Sequence, residues 1–314
     1  MAVSNLHIFR QGPVIQGLLR AGWSAISGPS SPAVPPLPGP ELHVTVPPRN
    51  AALVHDFIQW AGGDARGWSG QVPPTLFPQW GFPLLGRTLS DIPYPLARVL
   101  NQGCRIAVQH AIPAGEALQL RAQLVAIEET ETKARIHQQL ITGTVSVPDA
   151  LICDVYSVVP LDSGKGGPKG PRRPKPTVDW SLRELGRRHV GPSAGLDFAR
   201  LTGDFNPVHW VGPYARMAGF RTPILHGFAT ISIAVETVTR SVWSGDVSRF
   251  GGLDVRLTRP LLLGRGVDLG VFVGEAGPDG TRTLAVGAGH GGPAWMLGTI
   301  RDRSLADSEG ATHG

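Results

Sequence analysis

The amino-acid sequence predicts an α+β fold built from two similar halves, and three observations predict it. Each half carries a helical segment, then a second apolar helix, then a series of strand-like runs, an order that packs a helix on an antiparallel sheet. The halves echo one another at a nearly constant spacing. Their strand runs are rich in β-branched residues and are bounded by turn sequences such as Pro113-Ala114-Gly115 and Gly277-Pro278-Asp279-Gly280.

In the first half the pattern predicts helices near 50–61 and 82–89, then strands over 103–112, 117–128, 133–144 and 151–159. In the second half it predicts helices near 195–202 and 228–239, then strands over 248–257, 267–275, 281–289 and 294–301. The residues from Ala229 to Val238 are mostly small and apolar without a breaker, so the helix that starts after Gly227 is expected to be buried on most sides. Self-comparison pairs Gly63-Asp64 with Gly203-Asp204, an offset of 204 − 64 = 140. Pro74 pairs with Pro223 and Gly115 with Gly264, both at 149. The second half therefore holds about 149 − 140 = 9 extra residues, which fall in the segment that holds Asn206, Pro207 and His209. The first half keeps Asp64 but continues Ala65-Arg66-Gly67, has no counterpart of His209, and places Pro78, which has no N–H, opposite Gly227.

The resulting partition is an extension over 1–40, expected to be flexible; a degenerate half over 41–161; a linker over 162–177; a second half over 178–303 that retains the chemistry; and a flexible tail over 304–314. The 314 residues suffice for two cores. Net charge is +5, with much of it at Lys165, Lys169, Arg172, Arg173 and Lys175, in a Gly/Pro-rich stretch that reads as solvated linker. Without aromatic interleaving it does not suggest a nucleic-acid face. No apolar run is long enough for a membrane span. Cys104 and Cys153 form no CxxC pair and are read as buried thiols of a reducing compartment. The ten His show no metal-ligand spacing, and neither a P-loop nor GxGxxG is present, so no metal or cofactor is expected. The first forty residues lack Asp and Glu, and 14–26 can form a short amphipathic helix. A cytoplasmic location is expected, with an organelle matrix as the alternative.

The most informative stretch is Leu201-Thr202-Gly203-Asp204-Phe205-Asn206-Pro207-Val208-His209. Asp and His are suited to moving protons near neutral pH. Asn206-Pro207 imposes a turn that can bring Asp204 and His209 to one side, where they can hold a water between them. Downstream, Pro223-Ile224-Leu225-His226-Gly227 leads into the buried helix, whose first N–H groups are unpaired. Glycine at that point allows close approach of a ligand.

Together with Phe198 before it and Ala215 after it, this stretch resembles the signature of the hydratase 2 (MaoC-like) family, R-specific enoyl-thioester hydratases and 3-hydroxyacyl-thioester dehydratases. Pro-Ile-Leu-His-Gly is similar to the start of that family's central helix. The resemblance covers roughly 41–303, with its specific motifs confined to 198–228. It implies a tandem (double) hot-dog fold, two antiparallel sheets each wrapped around a central helix. It implies an enoyl-CoA or acyl-carrier-protein thioester as substrate and reversible hydration as the reaction. Asp204 and His209 would move the protons, in an order left open; Asn206 would fix the water or the carboxylate; the Gly227 N–H would stabilise the carbonyl oxygen. Trp60, Trp68, Phe77, Trp80 and Phe82 are candidates for an acyl tunnel, although such aromatics more commonly form plain core. Many relatives carry an acidic residue two positions after His209, whereas here Trp210-Val211-Gly212 follows, and Trp210 is expected to narrow the site or pack beneath it. An acyl-thioester hydrolase and a non-catalytic acyl-thioester-binding subunit are the alternatives. A homodimer is compatible with the pattern, although a tandem pair can satisfy the same pairing internally.

Overall fold

The computed structural model describes residues 3–12, 34–95, 99–161 and 174–303. The first half contains β1 (Leu42–Val46), α1 (Ala51–Ala61), β2 (Gln71–Val72), a 3-10 turn at Pro74–Leu76 and α2 (Pro78–Thr88). It continues with β3 (Leu100–Val108), β4 (Ile112–Pro113), β5 (Leu118–Thr130), β6 (Lys133–Gly143) and β7 (Leu151–Pro160). The second half contains β8 (Arg183–Val190), α3 (Ala194–Thr202), a 3-10 turn at Pro207–His209, α4 (Gly212–Met217) and α5 (Gly227–Val242). After a 3-10 turn at Val247–Arg249 come β9 (Phe250–Leu257), β10 (Val267–Ala276), β11 (Thr281–Gly287) and β12 (Ala294–Asp302).

Ten strands form one antiparallel sheet in the order β1-β5-β6-β7-β3-β9-β12-β11-β10-β8, and β2 pairs separately with β4. The second-half counterparts of β1, β5, β6, β7 and β3 are β8, β10, β11, β12 and β9, so the order reads the same from either end, as duplication requires. The two expected sheets are thus fused edge to edge. The seam is β3 against β9, from Gly103↔Arg256 to Ala107↔Gly252, and it closes two edges that would otherwise expose unpaired backbone. Within each half the expected wrapping holds. Helix α2 packs on β1, β5 and β6, and α5 on β8 and β10, which is the hot-dog arrangement in tandem. The two helix entrances meet: Phe228 stands edge-on to Phe77 at 5.1 Å and to Phe82 at 5.4 Å.

The repeat register holds at the helix starts, 227 − 78 = 149. It shifts by one at the preceding turn, where Gly62, rather than Gly63, matches Gly203 as the left-handed cap of its helix. Pattern reading missed β1 and β8. Both are outer strands of the sheet, and β8 reads Arg-Glu-Leu-Gly-Arg-Arg-His-Val, charged where an exposed edge resists pairing with another chain. Helix α2 starts earlier than expected because Pro78 suits the first helical position, while Gly81 and Pro83 mask the period.

The N-terminal extension departs from the expectation of flexibility in part. Residues 3–12 are docked: Asn5–Arg10 form a 3-10 helix, and His7 pairs with Asp56 at 2.7 Å. Gln11 is fully buried and donates to the carbonyls of Arg200 and Leu201, while its Oε1 accepts from Gln79. The suggested 14–26 helix, the linker residues 162–173 with four of its five basic residues, and the 304–314 tail lie outside the described residues. Cys104 and Cys153 are buried and free, and burial pushes both thiols up.

Helix α5 is buried from Phe228 to Thr239. Its hydroxyls are satisfied locally, Ser232 on the Phe228 carbonyl and Thr237 on that of Ile233. Glu236 accepts from Trp68 Nε1 at 3.0 Å, and burial pushes its carboxyl up to about 8, against the lowering effects of Trp68 and Arg240. The raised carboxyl holds its proton in the folded state, so its stabilising contribution is complete below the unfolded value near 4.5 and is lost as pH rises through 8. We expect Glu236→Gln, which keeps the shape and polarity of the protonated acid, to flatten the fall in melting temperature between about pH 5 and 8.5, removing on the order of several kcal/mol of pH dependence. Parallel curves for the two proteins in a thermal-melt series would contradict this.

Candidate active site

Helix α3 ends at Gly203, in the left-handed region (φ 82°), and the chain turns out toward the seam. Asp204 Oδ1 then accepts the backbone N–H of Asn206 at 3.3 Å, an Asx turn. Asn206 Oδ1 in turn accepts the N–H of Val208 at 3.2 Å and caps the 3-10 turn that Pro207 opens. The Asn206 side-chain oxygen is thus engaged in shaping the loop, and it is the Asn206 backbone, rather than its amide, that holds the Asp204 carboxylate. The turn carries His209 back over α5, where His209 Nδ1–H donates to the Ile224 carbonyl at 2.9 Å. That bond sets the tautomer and leaves the Nε2 lone pair free.

His226, at the cap of α5, completes the group. Its ring stacks on that of His209 at 3.5 Å and 24°, and its Nε2–H donates to the backbone carbonyl of Asp204 at 3.0 Å. Sequence reading took His226 only as a marker of the helix start; its position before Gly227 was the signal, but only the fold shows that it supports both partners. Burial pushes His209 down, opposed by the Asp204 carboxylate, and pushes His226 far down, reinforced by His209. Both imidazoles are therefore neutral near pH 7. Ligand atoms of Asp204, His209 and His226 lie within 4.8 Å of one another, a spacing a metal ion could use. In the tautomer that these hydrogen bonds set, His226 Nε2 carries the hydrogen given to the Asp204 carbonyl and is not itself a ligand atom.

Asp204, Asn206, His209 and Gly227 all border one cavity of about 1840 Å³. This exceeds the usual few hundred to about 1,000 Å³ of small-molecule sites. First-half residues supply much of its wall, including Val44, Leu84, Leu85, Trp80 and Phe82. Of the five aromatics considered for a tunnel, Trp80 and Phe82 line it, whereas Trp60, Trp68 and Phe77 are core. Trp210 neither narrows the site nor packs beneath it; it is partly exposed and braces the loop from outside through Nε1–H to the Phe205 carbonyl. Helix α5 starts without a side-chain cap, so the N–H of Gly227 has no intrahelical partner. A Cβ at Gly227 would stand 2.1 Å from Leu257 Cδ1, so the bare backbone is what keeps this corner open.

In the first half the corresponding parts are missing. Asp64 lies exposed in an ion pair with Arg66, and Pro78 begins α2. Asp64→Ala is expected to leave any activity of the chain within about twofold, and a clear loss in the same assay would assign the first half a chemical role.

Residues 175–286 match the family model described as a MaoC like domain. Peroxisomal multifunctional enzyme type 2 of Mus musculus is 41% identical over 66 residues, a match spanning 21% of this chain and only 9% of that enzyme's length. The 3-hydroxyacyl-thioester dehydratase X of Mycobacterium tuberculosis is 25% identical over 281 residues, 88% of this chain and 95% of that protein. Among solved structures, HtdX of Mycobacterium tuberculosis has a TM-score of 0.65 at 19% identity and covers 84% of this chain and all of that one, a likeness of fold.

Proposed function

With a second half that is a MaoC-like domain, we propose that this chain catalyses the reversible hydration of trans-2-enoyl thioesters to R-3-hydroxyacyl thioesters. The observation that carries the reading is the convergence of the Asp204 carboxylate, the free Nε2 of His209 and the unpaired N–H of Gly227 on one wall of a largely apolar cavity.

A neutral His209 Nε2 and a carboxylate are both acceptors, so each takes a hydrogen bond from one water. As the pair withdraws a proton, the water oxygen adds to C3 and the C2–C3 electron pair moves toward the thioester. Negative charge develops on the carbonyl oxygen, where the Gly227 N–H offsets it by ~3 kcal/mol if it acts like other such donors. The withdrawn proton then passes to C2, and dehydration is the reverse. Because one pair handles the proton on one face of the double bond, addition is syn. Neutral His226 adds no charge to the stack and keeps the Asp204 backbone in place. The thioester itself acidifies C2, so the reaction calls for no further group.

The test is to follow loss of enoyl absorbance with trans-2-enoyl-CoA substrates of increasing length, with chiral analysis of the product. An R-3-hydroxyacyl product supports the reading. Release of free thiol without loss of the double bond would instead identify a hydrolase, and binding without turnover a carrier.

A further inference from the structure

Strand β3 of the first half breaks register against β7 between Asn101 and Gly103. Gly103 adopts φ 141°, and a Cβ there would lie 2.0 Å from the Val255 carbonyl of β9, so this irregularity at the seam requires glycine. Its effect is to aim Asn101. The side-chain oxygen of Asn101 accepts the Gly103 N–H at 2.8 Å, which fixes the amide orientation and turns the NH₂ the other way. That nitrogen lies 3.3 Å from the point where a Cβ of Gly227 would stand, on the border of the same cavity. It has no hydrogen-bond partner among the described residues.

We propose that Asn101, supplied by the degenerate half, is a second hydrogen-bond donor to the thioester carbonyl oxygen, beside the N–H of Gly227. This deepens the hydration reading and rests on it. Chemically, an enolate-like oxygen accepts two hydrogen bonds readily, and an uncapped helix start offers it one backbone donor here. A side-chain amide held by the seam supplies the other at no cost in charge. The first half then has a function beyond walling the cavity, and the fusion of the two sheets through β3 and β9 is what brings that donor to the chemistry.

The test compares Asn101→Asp with Asn101→Ala in the full chain. Asp keeps the oxygen that accepts from Gly103 and replaces the donor by a negative oxygen, whereas Ala removes both. A donor to the carbonyl predicts that kcat falls about 100-fold in Asn101→Ala and further in Asn101→Asp, with KM changed little. A merely structural role predicts the reverse order, with Asn101→Asp near wild type, and that result overturns the proposal. A second measurement needs no turnover: difference infrared spectra of crotonyl-CoA bound to the Asp204→Asn variant, with and without Asn101→Ala. Two donors lower the carbonyl stretch, and loss of Asn101 moves it back toward the free value. An unchanged stretch overturns the role of Asn101 while leaving hydration standing. A wild-type chain that binds enoyl thioester without hydrating it removes the reaction but leaves the infrared result to decide Asn101. A chain that binds no enoyl thioester overturns both.

Discussion

Replacing Asp204 by Asn is expected to lower enoyl-thioester hydration by about three orders of magnitude, within the range for a positioned proton carrier, while leaving the melting curve nearly unchanged. The substitution is gentle by construction. Asn retains an oxygen that can accept the Asn206 N–H, so the Asx turn persists, and the His226 bond goes to the Asp204 backbone rather than its side chain. What disappears is the negative oxygen that, in the proposed mechanism, shares a water with His209. His209→Ala should be as damaging to activity but less neutral for stability. It removes the bond to the Ile224 carbonyl and the stacking partner of His226, at a cost of about 1–3 kcal/mol for the buried partner left behind. Steady-state rates with a single enoyl-CoA, set beside thermal melts, decide both. Either variant retaining wild-type turnover would remove the proposed pair from the mechanism.

Gly227→Pro should lower kcat about 100-fold or more relative to Gly227→Ala, through loss of a single N–H. The degenerate half motivates the experiment, since Pro78 already occupies the matching first position of α2. Proline is tolerated there because that N–H has no helical partner and the fixed φ suits a helix start. His226, the residue before it, is extended (ψ 138°), as a residue preceding proline must be. Both variants add a Cβ that presses on Leu257 Cδ1; proline in addition replaces the N–H by its ring Cδ, so the donor is lost and its place is filled. Equal activities would mean that the carbonyl oxygen finds its support elsewhere. Folding is checked by the melting temperature of each.

Much of this site was legible along the chain because its parts are close in sequence. Asp204, the Asn206-Pro207 turn and His209 form one short loop, and Gly227 follows within the same helix-start motif. The helices and inner strands were legible for a related reason: burial on one face imposes a period, as in β7, where buried and half-buried residues alternate throughout. Strands β1 and β8 were not, because an outer strand answers to solvent as much as to the core and its side chains lose that period. Asn206 shows a different limit. Its place in the loop was legible, but whether its amide faces water or closes the turn depends on hydrogen bonds that sequence does not display.

By itself the sequence determined an α+β chain repeated in tandem, with one half carrying a carboxylate, an imidazole and a glycine at a helix start and the other keeping the carboxylate alone. These are local matters of residue type, spacing and periodicity. Only the tertiary structure decided that the two sheets fuse through β3 and β9, that His226 stacks beneath His209 with a defined tautomer, and that Asn101 arrives beside Gly227 from 227 − 101 = 126 residues away. The physical reason is that such meetings are set by how strands pair and helices pack across the whole molecule, and no short window of residues records which distant backbone will close against it.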